Sequence, residues 1–279
     1  MNGTDSQLTV DRPGIADYQF IRMLGTGNHG VFYLANRPQR LHIDADLVAV
    51  KVLTGTSSQD TFRRATRELA AFAAVRSPYL VTLYDAGQQG DDLYYSMEYL
   101  PAGSLADAAG SISPRQVITA VAHAARAADA LHEAGIAHND IKPGNIMLHD
   151  TGAKLSDLGL SQLLTPGLTI TGLGSAVSVE FLDPAIIRGE QPSRATDIFA
   201  LGASLHRALA GVGLYGELPS DNTMVAMRRV LGHAPVVAEN LPADARDLIS
   251  AAIDPKPAAR PNTAAEFADR LDQLAASAG

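Results

Sequence analysis

The sequence predicts an α+β fold in two lobes, a small β-rich one followed by a larger helical one. Three observations carry that expectation. From Tyr18 to Glu98 short β-favouring runs are separated by Gly-rich or polar turns, with one stretch of helical spacing among them. Pro101, Gly103 and Ser104 then break the pattern. Beyond them the apolar residues recur at helical spacing almost to the end. At 279 residues and 46% hydrophobic, the chain has material for one large core or two smaller ones. The expected division is a flexible segment over 1–17, polar and holding Pro13 and Gly14, a first lobe over 18–100 and a second over 101–279.

The elements follow in order. Phe20-Ile21, Val31-Phe32-Tyr33-Leu34 and Val48-Ala49-Val50 read as strands of a small antiparallel sheet. Residues 60–75 read as a helix with Phe62, Leu69, Phe72 and Val75 on a shared face, and strands resume over Leu80–Tyr84 and Leu93–Glu98. Ser113 is placed as an N-cap with Pro114 at the first helical position, and Ile118, Val121, Ala122, Ala125 and Leu131 form one stripe ending at a Gly135 turn. Ile146-Met147-Leu148 and Lys154-Leu155-Ser156 read as two short strands around a turn at Asp150-Thr151-Gly152. Further helices are expected over Thr196–Ala210, Thr223–Leu231, Pro242–Ile253 and Thr263–Ala275.

Composition excludes several function classes. A formal net charge of −8 without a Lys/Arg cluster argues against a nucleic-acid surface, which must neutralise phosphates. There is no cysteine, so neither disulfides nor thiol chemistry contribute. Charges at Arg126, Asp129, Asp197 and Arg207 interrupt the most apolar stretches, and no membrane span is expected. The N-terminus lacks a basic segment followed by an apolar run, so the expectation is a soluble, cytoplasmic protein.

Four groups of residues can carry chemistry. Gly25-Thr26-Gly27-Asn28-His29-Gly30 lies between two strands, a context that disfavours a dinucleotide fingerprint but suits a hairpin whose backbone N–H groups approach phosphate oxygens. Lys51 ends an apolar strand, where it is either an edge lysine with a wet ammonium or a cation for an anionic ligand. His138-Asn139-Asp140-Ile141-Lys142-Pro143-Gly144-Asn145 sets a base, an acid and an amide close together after a helix. Asp157-Leu158-Gly159 follows, and the intervening hairpin brings Asn145 and Asp157 to the same end, where two oxygen ligands suit Mg²⁺.

In this order, Gly25–Gly30, Val48–Lys51, Glu68, His138–Asn145 and Asp157–Gly159 resemble the eukaryotic-like, bacterial-type serine/threonine protein kinases. The resemblance continues through Asp197-Ile198-Phe199-Ala200-Leu201-Gly202 and Arg260-Pro261, and covers about residues 18–275. It implies a kinase-like fold and transfer of the ATP γ-phosphoryl to Ser/Thr hydroxyls of protein substrates, itself included, with ATP and Mg²⁺. By the same resemblance Asp140 takes the hydroxyl proton, Lys142 offsets charge on the phosphoryl, and Asn145 and Asp157 hold the metal. Lys51 with Glu68 positions phosphates beneath Gly25, Gly27 and Gly30. Met97 is the gatekeeper, Glu98 to Leu100 the hinge that bonds adenine, and Ala49 and Met147 are further ATP-binding positions. Ser178 falls where such kinases contact the catalytic Asp and Lys. The Asp140-x-Lys142-x-x-Asn145 form resembles serine/threonine rather than tyrosine kinases.

Other positions depart from the family pattern. Asn139 replaces an arginine that pairs with a phosphorylated loop, so activity is expected not to depend on phosphorylation of Thr165, Thr169, Thr171 or Ser175. Phe32 stands for a valine over adenine, Leu158 for a phenylalanine, and Asp183-Pro184-Ala185 for Ala-Pro-Glu, which leaves Arg260 needing another acid or solvent. Phe32, Asn139 and Ala185 motivate an alternative, a pseudokinase acting as a nucleotide-binding regulatory partner. A small-molecule phosphotransferase shares the His-x-Asp and Asn spacing, although Lys142 and the long segment from Asp157 to Asp183 favour a peptide platform. The sequence leaves the oligomeric state open.

Overall fold

The computed structural model describes residues 15–27, 30–53, 59–157 and 176–277. They separate into two compact units, one of the described residues up to Leu69 with Thr82–Tyr99, the other of Ala70–Val81 with the described residues from Leu100 on. Among the described residues no helix is long and apolar enough to cross a membrane. Asn28, His29, Leu158, Gly159, Thr165, Thr169, Thr171, Ser175 and most of the segment 1–17 lie outside the described residues.

The first unit is built on a five-stranded antiparallel sheet in the order β1-β2-β3-β5-β4, with β1 Gln19–Gly27, β2 Gly30–Asn36, β3 Leu47–Leu53, β4 Leu83–Gln89 and β5 Asp92–Glu98. Period-two alternation sorts its side chains between two faces. Tyr33, Ala35, Val48, Val50, Val52 and Tyr94 pack with Ile15 and Tyr18 into one core. The Tyr18 hydroxyl lies 2.7 Å from the Ser96 hydroxyl and 2.9 Å from the Asp85 carboxylate. The opposite face carries Leu34, Ala49 and Met97 in one row and Phe32, Lys51 and Tyr95 in another, directly paired across β2, β3 and β5. Helix α1, Gln59–Ala74, is one residue out of step with the predicted 60–75.

The predicted strand over Leu80–Tyr84 is displaced. Its β4 runs Leu83–Gln89, because the backbone before it is committed elsewhere in the second unit. The Val81 N–H donates to the Leu155 carbonyl at 3.0 Å, and the Leu155 N–H to the Tyr79 carbonyl at 2.8 Å. These bonds are why 70–81 groups with the second unit although it precedes residue 101.

In that unit α2, Pro114–Glu133, starts from a Ser113/Gln116 capping box and buries the predicted stripe. Gly135 at φ +76° turns the chain off the helix, with Ile136 N–H bonded to the Leu131 carbonyl at 2.9 Å. The predicted hairpin follows as β6, Ile146–His149, and β7, Gly152–Leu155, the second strand starting two residues earlier than expected because Gly152 pairs with His149 and leaves the turn. Helices α3, Ala176–Val179, and α4, Pro184–Ile187, are too short for a periodic signal. Then come α5, Arg194–Ala210, α6, Thr223–Gly232, α7, Ala243–Ala252, and α8, Ala264–Ser277. The buried alanines of α2 let α5, α8 and β7 approach closely, and this packing fixes the loop that leaves the helix C-terminus.

Candidate active site

On the sheet, β1 and β2 approach at Gly27 and Gly30, which pair in register. A Cβ on Gly30 would stand 2.4 Å from the Val52 carbonyl oxygen, so strand packing alone demands glycine there, whereas Gly25 has open space around it. Ala49, Lys51 and Met97 share the face opposite the Tyr18 core. Lys51 is 4% exposed, with its ammonium 4.7 Å from the Phe32 ring centroid and 5.9 Å from that of Tyr95. The expected Lys51–Glu68 pair is not among the ion pairs of the described residues. Burial pushes the Glu68 carboxyl above its ordinary range. The Glu98 N–H donates to the Thr82 carbonyl at 2.9 Å.

In the second unit the Leu100 carbonyl accepts from Gly103 N–H, and the Gly103–Leu105 backbone bonds to β6 on either side of Met147. The chain between α2 and β6 brings the polar candidates together. Lys142 Nζ donates to both Asp140 carboxylate oxygens, at 2.9 and 2.8 Å, and to Ser178 Oγ at 3.2 Å. Asn145 Nδ2 donates to the Asp140 carbonyl at 2.7 Å and to Asp140 Oδ2 at 3.0 Å. The Asp140 carboxylate is thereby held between a cation and an amide. Spending Nδ2 on Asp140 leaves Oδ1 as the Asn145 atom able to ligate a cation.

The β6–β7 hairpin ties Asn145 to the segment carrying Asp157. The Asn145 carbonyl accepts from Ser156 N–H at 2.8 Å and Ser156 Oγ at 3.1 Å. Asp157, the next residue, is buried with φ +60°. Among the described residues no group of three or more His, Cys, Asp or Glu could hold a metal. One amide and one carboxylate oxygen are a donor set for a hard ion that takes few protein ligands, so the residues fit Mg²⁺ better than zinc or iron.

Two residues behind the loop, neither assigned a site role from sequence, set its shape. Asp197, in the first turn of α5 and 1% exposed, accepts from His138 N–H at 2.7 Å, Asn139 N–H at 2.9 Å and His132 Nε2 at 2.8 Å. The carboxylate also gains from the positive helix end. His138 Nε2 lies 3.1 Å from the Ser156 carbonyl and so carries the proton, while Nδ1 accepts from Asp140 N–H at 3.3 Å. Burial pushes its imidazole down from 6.5, against the pull of Asp197, Asp140 and Asp157. The signal that could have marked Asp197 was its place at the head of the Asp197–Gly202 run that carries the family resemblance.

Arg260 finds its acid in Asp183. Both are buried and form an ion pair, and Arg260 also donates to the carbonyls of Ala195 and Asp254, at 2.8 Å each, with its guanidinium over Phe199.

Comparison with known proteins shows the family and the fold. The "Protein kinase domain" family matches residues 18–270. The serine/threonine-protein kinase PknK of Mycobacterium tuberculosis is 31% identical over 264 residues, 92% of this chain and 23% of the relative. PknB of Mycobacterium leprae, also a serine/threonine-protein kinase, is 34% identical over 211 residues, 71% of this chain and 33% of the relative. The chain thus spans about a quarter to a third of these two relatives. The crystal structure of a mutant Mycobacterium tuberculosis PknI kinase domain has the same fold, with TM-score 0.70 at 24% identity over 93% of this chain and 96% of that one. With the family match running from Tyr18 to Arg270 and the Asp140, Lys142 and Asn145 constellation within it, the chain belongs to the protein kinase family.

Proposed function

We propose that the chain is the catalytic domain of a serine/threonine protein kinase that transfers the ATP γ-phosphoryl to Ser or Thr hydroxyls of proteins, itself included. The observation that carries this reading is the Asp140 carboxylate held between Lys142 and Asn145, with Ser178 on the same lysine. A substrate hydroxyl donating to Asp140 loses its proton to the carboxylate as its oxygen bonds to the γ-phosphorus and the bond to the β-phosphate oxygen breaks. Lys142, already turned to Asp140, offsets the charge on the phosphoryl oxygens, and Lys51 takes the other phosphates. Asn145 and Asp157 would hold Mg²⁺, which neutralises phosphate charge when bound. Most of the acceleration then comes from alignment and electrostatics. Consumption of ATP assigns the reaction to the cytoplasm.

Transfer of labelled phosphate from ATP to a generic protein substrate, and to the chain itself, tests the proposal. Asp140→Asn and Lys51→Met should both abolish it. An inactive parent that binds ATP would make it a regulatory module, and unchanged transfer in Asp140→Asn would refute the catalytic assignment.

A further inference from the structure

Phe32, Lys51 and Tyr95 face one another across three strands, in register on one side of the sheet. The Lys51 ammonium stands 4.7 Å from one ring centroid and 5.9 Å from the other, within the range where an aromatic quadrupole attracts a cation. The lysine is 4% exposed, so its charge has left most of its water and needs compensation from the protein.

We propose that Phe32 is a positioning residue for Lys51, its ring and that of Tyr95 forming a two-sided aromatic seat for the ammonium. This rests on the kinase reading, in which Lys51 meets phosphate. A ring attracts the cation without neutralising it, so the seat does not itself compete with an incoming phosphate oxygen. An aliphatic side chain at position 32 would remove that ring's share of the attraction. The departure from valine, which the sequence suggests as a changed roof over adenine, acts instead on the phosphate-binding cation.

The test uses the full chain labelled with ¹³C at lysine Cε. It has four lysines, Lys51, Lys142, Lys154 and Lys256, so the spectrum is simple, and Lys51→Met identifies the signal of interest. In the parent the Lys51 Hε protons should lie upfield of the other three through the ring currents. Phe32→Leu should move them toward the others, and Phe32→Tyr should keep them upfield. The remaining lysine signals report folding; if Phe32→Leu does not fold, Phe32→Val, suited to a strand, takes its place. Titration of the same samples should show Mg-ATP weakened about three- to tenfold in Phe32→Leu, the size of one cation–π contact, with adenosine unchanged and Phe32→Tyr at parent affinity. An unshifted Lys51 signal in the parent overturns the seat. Equal weakening of adenosine and ATP overturns it in favour of a roof over the base. Because the signal is read without turnover, a shifted Lys51 in a chain that transfers no phosphoryl would sink the kinase reading alone.

Discussion

Asp183 and Arg260 form an ion pair with side chains only 3% and 2% exposed, bridging the cap of α4 to the segment before α8. The pair makes good the loss at Ala185. The acid has moved two residues upstream along the chain, and in its new position it also caps α4 by accepting from Ala185 N–H at 2.9 Å. Removing the carboxylate strands a buried guanidinium, a change that costs about 3–5 kcal/mol. Asp183→Ala should therefore lower the urea midpoint strongly. Asp183→Asn, which can still cap the helix, should lower it slightly less. A midpoint within error of the parent would show that solvent reaches Arg260.

Asn139 has φ +62°, a region that asparagine enters more readily than alanine or arginine. Asn139→Gly should leave stability nearly unchanged, while Asn139→Ala and Asn139→Arg should each cost about 1–2 kcal/mol in denaturant unfolding. Equal stability of the alanine and glycine variants would show that the loop does not keep this conformation. The residue that removes a cation from the loop thus also fits the backbone bend placing Asp140.

Activity should accordingly survive replacement of Thr165, Thr169, Thr171 and Ser175 by alanine. Without an arginine at position 139, a phosphate on that segment lacks the charge partner through which it would act on Asp140. Loss of phosphoryl transfer in this quadruple variant, with folding intact by circular dichroism, would refute the idea.

How far the sequence carried depended on whether a signal was local. The caps of α2, the β6–β7 hairpin and the Asp140, Lys142 and Asn145 cluster were legible because the chemistry lies within a few residues. The start of β4 was missed because Tyr79 and Val81 spend their backbone bonds on Leu155, 74 or more residues away. Asp197 was read as part of a helix and missed as the anchor of a loop 58 residues earlier, since only tertiary packing brings the two together. For the same reason the facing of Phe32 and Tyr95 on Lys51, which sheet register creates, has no local signal in the sequence.

Asp197→Ala should test that anchor. Two backbone N–H groups and the His132 imidazole would lose a charged acceptor, and hydrogen bonds to charged groups contribute about 1.5–3 kcal/mol each. Several kcal/mol of stability should go. In the fraction that folds, kcat should fall at least tenfold with little change in the KM for ATP, because Asp140 is displaced while the sheet is untouched. A proportionate change in KM would place the damage elsewhere.

Stability should also fall as the solution is made mildly acidic. Burial depresses the imidazoles of His138, His206 and His123 below 6.5. Below that value the unfolded chain takes up protons that the native chain refuses, so the unfolded state binds more protons and unfolding becomes easier. The stabilisation is whole above 6.5 and is lost as pH falls through the depressed native values. Each such proton contributes a slope of up to about 1.4 kcal/mol per pH unit within that window. The Glu180 and Glu68 carboxyls, raised by burial, act in the opposite sense, so the comparison must isolate one group. His138→Asn should be less stable than the parent at pH 7.5, because the bonds to Ser156 and Asp140 are disturbed, yet lose less on going to pH 5.5. Parallel stability curves for the two proteins, measured by urea unfolding across that range, would show that His138 accepts its proton in the folded state as easily as in the unfolded one.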